Sequence, residues 1–152
     1  MRSCDVLIVG GGPAGSTAAW QLRKGGADVL VLDRERFPRL KLCAGWITPE
    51  VVRELAMDLG AYPHRLLTFP RLRVHLGRLH LPVACVQHSI RRFEFDAWLL
   101  ERSGAPVEQH TVRHIVAEAG GYVIDGAYRC RDRKSTRLNS SHCALSRMPS
   151  SA

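Results

Sequence analysis

The sequence predicts an α/β fold in which a parallel βαβ unit is combined with an antiparallel β-meander. Residues 6–9 form a short, unbroken apolar run that leads into a glycine-rich turn, which is typical of a strand covered on both faces in a parallel sheet. Residues 29–32 form a second such run after a helical segment. Residues 125–126 are an Asp-Gly pair between β-prone runs, which is a strong hairpin signal.

The turn after the first strand has the G-x-G-x-x-G spacing, with Gly10, Gly12 and Gly15 as its glycines. Gly10 allows a tight turn off the strand, Gly12 lets a pyrophosphate approach the backbone, and Gly15 lets the helix pack against the strand. Pro13 and Ala14 lie where the helix begins, and the free N–H groups and positive end of that helix would face the phosphates. All five residues are therefore candidate cofactor-binding residues.

An acid closes the second strand. The helix over residues 17–22 ends at residues 25–26, and the strand over residues 29–32 runs into Asp33. This acid lies about 20 residues beyond the glycine turn, where a carboxylate accepts hydrogen bonds from ribose hydroxyls. These parts follow the order of a dinucleotide-binding unit. The alternative is an ordinary βαβ unit with a glycine-rich turn.

The segment after this acid is polar and basic, and Pro38 interrupts it. This pattern predicts a loop over residues 34–41 at the edge of the cofactor. Arg34 would lie along the adenine or its phosphates, or else be a solvated loop arginine.

Small residues follow the loop. Cys43, Ala44 and Gly45 have little bulk, so a flavin ring would fit against the backbone there; the alternative is a buried structural cysteine. Thr48 and Pro49 then predict the start of a helix that continues to about residue 60.

The chain up to residue 131 further predicts a hairpin, a helix and three short strands. Apolar residues alternate on both sides of residues 77–78, which predicts a hairpin with His75 and His80 on its outer face. Residues 90–102 have an amphipathic helical pattern. The three strands are predicted over residues 111–117, 122–124 and 127–130.

The C-terminal segment resembles a translated DNA adapter rather than a protein. Residues 132–142 and 146–152 match the conceptual translation of a common sequencing-library adapter in one reading frame. We therefore predict a partial cofactor-binding domain over residues 1–131 and a disordered, adapter-derived tail over residues 132–152. Part of the net charge of +8 belongs to this tail, and the other basic residues are scattered, which argues against nucleic-acid binding.

The cysteines and apolar runs argue against several other classes. The five cysteines form no C-x-x-C pair and the seven histidines have no metal-like spacing, so no metal site is predicted. This cysteine pattern fits a reduced, cytoplasmic context. No signal peptide is recognisable, and no apolar run is long enough for a transmembrane segment. We expect a cytoplasmic protein, soluble or peripheral at the membrane.

Four stretches together resemble a flavoprotein family. They are the glycine turn, Asp33, residues 41–45, and residues 92–99, which are similar to the family's Arg-x-x-Phe-Asp-x-Trp-Leu helix. The family includes geranylgeranyl reductases and, more distantly, aromatic hydroxylases of the p-hydroxybenzoate hydroxylase type. The resemblance extends over residues 1–131.

The resemblance implies an FAD cofactor and a role for each matching residue. The glycine turn would hold the pyrophosphate, Asp33 the ribose, and Arg92 would approach the cofactor. Ala44 and Gly45 would lie beside the isoalloxazine. Cys43 is the candidate catalytic residue, near the reacting centre.

The sequence also departs from the family pattern. Asp33 stands where the family usually has Glu, and Ala44 stands where Gly is frequent. The family's second FAD motif, a glycine-aspartate loop, is absent, as is its substrate domain. The family therefore implies an N-terminal fragment, inactive by itself, of a longer enzyme.

The implied activity is transfer of a hydride from reduced FAD to a carbon–carbon double bond of a small molecule such as an isoprenoid. An external donor, NAD(P)H or ferredoxin, would reduce the flavin. The alternatives are an FAD-dependent aromatic monooxygenase and a non-catalytic dinucleotide-binding module. Asp33 argues against the 2′-phosphate of NADP at this dinucleotide site, but it does not distinguish FAD from NAD as the ligand.

Overall fold

The computed structural model describes residues 1–131 of the 152-residue chain, and the predicted tail over residues 132–152 lies outside them. The elements in chain order are β1 (Arg2–Cys4), β2 (Val6–Val9), α1 (Pro13–Lys24), β3 (Val29–Asp33), β4 (Trp46–Ile47), α2 (Pro49–Glu54), β5 (Leu66–Leu76), β6 (Leu79–Ile90), α3 (Arg92–Ser103), β7 (Val107–Gln109), β8 (Ile115–Glu118), β9 (Gly121–Ile124) and β10 (Tyr128–Arg131). They form two compact units. Among the described residues, one contains residues 1–39 and 96–131, and the other contains residues 40–95.

The first unit contains a three-stranded parallel sheet. Its strand order is β2-β3-β7, and α1 is the crossover between β2 and β3. All five residues of β3 are buried, which explains its unbroken apolar sequence. The carboxyl ends of these strands meet at one edge, where Asp33 pairs with Gln109. The predicted βαβ unit is confirmed, and β7 adds a parallel strand that was not predicted.

Strand β3 has apolar side chains on both faces, and each face belongs to a different core cluster. The cluster on one face contains Ala19, Val29, Val31, Leu100 and Ala105. The cluster on the other face contains Cys4, Leu7, Leu30, Leu32, Ile124 and Cys130. Burying one large aliphatic side chain contributes roughly 1.5–3 kcal/mol. The two clusters therefore hold β3 in place, and with it the acid at its carboxyl end.

The second sheet of the first unit has the strand order β1-β10-β9-β8. Strands β8, β9 and β10 are the predicted antiparallel meander, and β1 pairs with β10 in parallel. In the turn between β9 and β10, Asp125 has a φ of 48° and Gly126 a φ of 66°. The Ala127 N–H donates to the Ile124 carbonyl at 3.0 Å and closes the turn around these two left-handed residues, so the Asp-Gly signal is confirmed.

The second unit contains the antiparallel sheet β4-β6-β5. Strands β5 and β6 form the predicted hairpin, in which Leu76 pairs with Leu79 next to the turn. His75 and His80 are exposed, opposite one another, with ring centroids 4.3 Å apart. The α/β fold class with an antiparallel insertion is therefore confirmed.

Helix α2 begins where the sequence predicts and ends earlier. The Thr48 hydroxyl accepts a hydrogen bond from the Val51 N–H at 3.4 Å, which confirms the predicted cap. The predicted extension to about residue 60 is wrong, because Ala56 has a φ of 44° and turns the chain out of the helix. The helix predicted over residues 90–102 is confirmed as α3.

Candidate functional site

The glycine turn packs the end of β2 against the start of α1. Gly10 has a φ of 103°, and its N–H donates to the Leu32 carbonyl at 2.7 Å. A Cβ at Gly15 would lie 1.8 Å from the Gly10 carbonyl oxygen, so a larger residue does not fit between helix and strand. Gly12 is the N-cap of α1, and Pro13 is its first residue. The close helix–strand approach predicted from Gly15 is present.

The carboxylate of Asp33 anchors the glycine turn. The Gly11 N–H donates to Asp33 Oδ2 at 2.7 Å, and the Glu35 N–H donates to Oδ1 at 2.9 Å. Asp33 is 7 % exposed at the end of β3. Because each carboxylate oxygen has two lone pairs, each retains one acceptor position. The sequence predicts the ribose acceptor but not this anchoring role.

The N-terminal end of α1 is electropositive. The first N–H groups of a helix have no intrahelical acceptors and carry a positive partial charge. Ala14 and Gly15 contribute such groups, and no acidic residue lies in the first turn. Arg23 and Lys24 lie in the last turn, at the opposite end of the dipole. This end of the helix can therefore bind an anion.

Arg39 lies over the same turn, although the sequence does not single it out. Its Nη2 is 3.3 Å from the position that a Cβ of Gly12 would occupy. Its guanidinium lies over the Phe37 ring, with Cζ 4.9 Å from the centroid, and its Nη2 is 3.7 Å from Asp96 Oδ2. No sequence signal distinguishes Arg39 from the exposed Arg34, because both belong to one basic loop.

Arg34 is the predicted adenine contact. Its side chain is 76 % exposed, and its Nε lies 3.6 Å from Glu35 Oε1. Beside this loop the first unit has a groove of about 730 Å³. Its lining includes apolar Phe37, Leu100 and Val107 and polar Arg36 and Gln109. Gln109 accepts from Arg36 Nε at 2.6 Å and donates to the Arg34 carbonyl at 3.1 Å, so β7 fixes the loop. A cofactor contact of the Arg34 side chain stays a prediction.

In the second unit, Cys43 is exposed, which does not fit the alternative of a buried structural cysteine. Its Sγ accepts hydrogen bonds from Arg92 Nη1 at 3.2 Å and from the Gly45 N–H at 3.4 Å. Gly45 has a φ of 71°, and a Cβ there would lie 2.3 Å from the Ile90 carbonyl oxygen. Ala44 is exposed. The structure thus brings together Cys43, Gly45 and Arg92, which the family resemblance also groups.

The predicted site residues are divided between the two units. The first unit holds Gly10, Gly12, Pro13, Ala14, Gly15, Asp33 and Arg34. The second unit holds Cys43, Ala44, Gly45 and Arg92. Among residues 1–131, no group of His, Cys, Asp and Glu side chains is arranged to hold a metal ion. No helix in this part of the chain has the length and hydropathy needed to cross a bilayer.

Two sequence relatives are prenyl reductases. The chain is 38% identical over 105 residues to the geranylgeranyl diphosphate reductase of Rhodobacter capsulatus, covering 66% of this chain and 25% of the relative. It is 33% identical over 142 residues to digeranylgeranylglycerophospholipid reductase 1 of Methanopyrus kandleri, covering 84% of this chain and 35% of the relative. The chain therefore spans about a quarter to a third of the length of these proteins.

A solved structure and a family model also match this chain. The crystal structure of a geranylgeranyl bacteriochlorophyll reductase-like protein from Thermoplasma acidophilum superposes with a TM-score of 0.71 at 22% identity, over 86% of this chain and 38% of that one. At this identity the likeness shows the fold. The family described as FAD dependent oxidoreductase matches residues 5–134. The chain belongs to this family of FAD dependent oxidoreductases.

Proposed function

We propose that this chain is the N-terminal, FAD-binding part of a prenyl reductase. The observation that carries the proposal is the glycine turn, tied to Asp33 by the 2.7 Å bond from the Gly11 N–H. This bond supports the proposal, because it joins the carboxylate that would accept the ribose hydroxyls to the helix terminus that would receive the phosphates. The activity belongs to the whole protein, of which the described residues form one part.

The residues of the first unit fit the adenosine diphosphate half of FAD. The backbone at Gly12 and the start of α1 would receive the pyrophosphate, since Gly12 has no side chain and the first turn has no acid. The remaining lone pairs of Asp33 would accept the ribose hydroxyls. A carboxylate at this position disfavours a 2′-phosphate, so NADP is not the expected ligand.

The residues of the second unit would hold the flavin ring. Ala44 and Gly45 give a segment with little side-chain bulk, and Arg92 is held beside Cys43 by the 3.2 Å bond to Sγ. We assign Cys43 to the reacting face of the cofactor and Arg92 to the approach to it. Bound FAD would supply the hydride chemistry, and the protein would orient it.

The proposed reaction is the reduction of a carbon–carbon double bond in an isoprenoid. Bound reduced FAD would supply the hydride and an acid the proton, and NAD(P)H or ferredoxin would supply the two electrons. The two prenyl reductases among the relatives support this substrate class.

The test uses the whole protein, purified and assayed anaerobically with geranylgeranyl diphosphate and a chemical reductant. We expect a yellow protein that saturates the double bond. In a parallel aerobic assay, substrate-dependent oxygen uptake with a hydroxylated product would instead indicate a monooxygenase. A colourless protein that binds NAD stoichiometrically would contradict the FAD assignment.

Two variants test the residue assignments in that assay. Gly12→Val places a branched side chain against the pyrophosphate position, so we expect the flavin to be lost. Cys43→Ser touches neither phosphate nor ribose, so we expect FAD to stay bound while the turnover rate changes. Normal turnover of Cys43→Ser would remove Cys43 from the reacting face.

A further inference from the structure

We propose that Arg39 is a phosphate ligand of the dinucleotide site, held over Gly12 by the Phe37 ring and the buried carboxylate of Asp96. The proposal rests on the FAD-binding function and assigns a residue that the glycine-turn pattern does not contain. Backbone N–H groups of the turn and the neighbouring guanidinium would then both donate hydrogen bonds to the pyrophosphate.

The position of Arg39 is the first step of the argument. Its Nη2 is 3.3 Å from where a Cβ of Gly12 would be, and Gly12 is the N-cap of α1. A guanidinium therefore lies at the positive end of a helix dipole. A cation at this end is unfavourable unless an anion compensates both charges.

The charge near Arg39 is the second step. The first turn of α1 has no acidic residue. Asp96 is fully buried, and its Oδ2 lies 3.7 Å from Arg39 Nη2, which is an ion-pair distance and longer than a hydrogen bond. Asp96 thus offsets part of the positive charge and orients the guanidinium. A pyrophosphate bound at the helix terminus beside Arg39 would supply the remaining negative charge.

The hydrogen-bonding capacity of Arg39 is the third step. The side chain is 17 % exposed, and its Nε is buried without a hydrogen-bond partner among the described residues. The guanidinium lies over the Phe37 ring, with its Cζ 4.9 Å from the ring centroid, so the ring helps to hold it at the turn. A planar edge of N–H donors matches phosphate oxygens, which an ammonium group does less well.

The experiment measures FAD and ADP binding to the apoprotein of the whole protein by calorimetry, at low and at high ionic strength. For Arg39→Gln we expect both affinities to fall roughly tenfold to a hundredfold at low ionic strength, as the loss of a charged phosphate contact implies. The salt dependence of binding should decrease as well, because one cation is lost. Arg39→Lys should recover part of the affinity, since it restores the charge without the planar edge.

Arg53→Gln is the matched control, because it removes an exposed arginine of the second unit. It should leave both affinities unchanged. An Arg39→Gln protein with wild-type affinity would overturn the proposal. So would an equal loss at both ionic strengths together with a lower melting temperature of the apoprotein, which would make Arg39 a structural brace. Wild-type apoprotein that binds neither FAD nor ADP would instead contradict the proposed function.

Discussion

Replacing Asp33 by Ala should destabilise the protein even when no cofactor is bound. The carboxylate accepts one hydrogen bond from Gly11 and one from Glu35, at 2.7 and 2.9 Å. The Gly11 bond is buried, so its N–H loses its acceptor without gaining water. If Asp33 served only to contact the ligand, its replacement would leave the stability of the apoprotein unchanged.

The size of the effect follows from these two bonds. A hydrogen bond to a charged group contributes about 1.5–3 kcal/mol. The two bonds share one carboxylate, so their contributions do not add fully. We expect the free energy of unfolding of the apoprotein to fall by about 2–4 kcal/mol, which a domain of ordinary stability survives. Asp33→Asn should lower the free energy of unfolding by less, because the asparagine side chain retains one acceptor oxygen.

Urea unfolding of the apoprotein, followed by circular dichroism, measures this difference. Asp58 is a matched control, because its Oδ1 accepts the Gly60 N–H at 2.9 Å in an exposed turn. Asp58→Ala should change the free energy of unfolding by less than about 0.5 kcal/mol. If Asp33→Ala and Asp58→Ala had the same effect, the anchoring role of Asp33 would be refuted.

Three further predictions concern other parts of the structure. Gly15→Ala should abolish flavin binding and lower the melting temperature, because its Cβ would lie 1.8 Å from the Gly10 carbonyl oxygen; flavin content and thermal unfolding check this. Iodoacetamide at neutral pH should label the exposed Cys43 well before Cys4, because burial, and next the nearby Cys130, raises the pKa of the Cys4 thiol to about 11. Peptide mass spectrometry gives the order of labelling, and faster labelling of Cys4 would contradict this prediction. Burial, and next the charge of Glu94, raises the pKa of Tyr62 from 10.0 to about 12, so its contribution to stability is complete below about pH 10 and lost as the pH rises through about 12. Denaturation at alkaline pH should show this loss in the wild type and not in Tyr62→Phe.

The sequence predicts the parts of the fold whose signals are local. The apolar run of β3, the glycine turn and the Asp-Gly hairpin each depend on neighbouring residues, and all three are present. Strand β7 was missed because its three residues carry too short a pattern to separate from a loop. The end of α2 was misplaced because Ala56, a good helix former, adopts a left-handed conformation.

In the candidate site, too, the sequence predicts the features that depend on neighbouring residues and misses those that depend on distant ones. The glycine turn and Asp33 are recognisable because their spacing along the chain fixes their geometry. Arg39 was missed because its ion-pair partner, Asp96, belongs to a helix far away in the sequence. The anchoring bonds of Asp33 were missed for a related reason, since a spacing pattern specifies where a carboxylate lies and not which donors reach it.

The parallel pairing of β1 with β10 has a consequence for biosynthesis. Arg2 lies opposite Tyr128 and Cys4 opposite Cys130, so β1 leaves the ribosome more than 100 residues before its pairing partner β10. Contacts over such a sequence separation form late, because a long loop must close first. During translation the β1 segment therefore waits unpaired, with the Cys4 thiol accessible to solvent and to chaperones, until β10 has emerged from the exit tunnel.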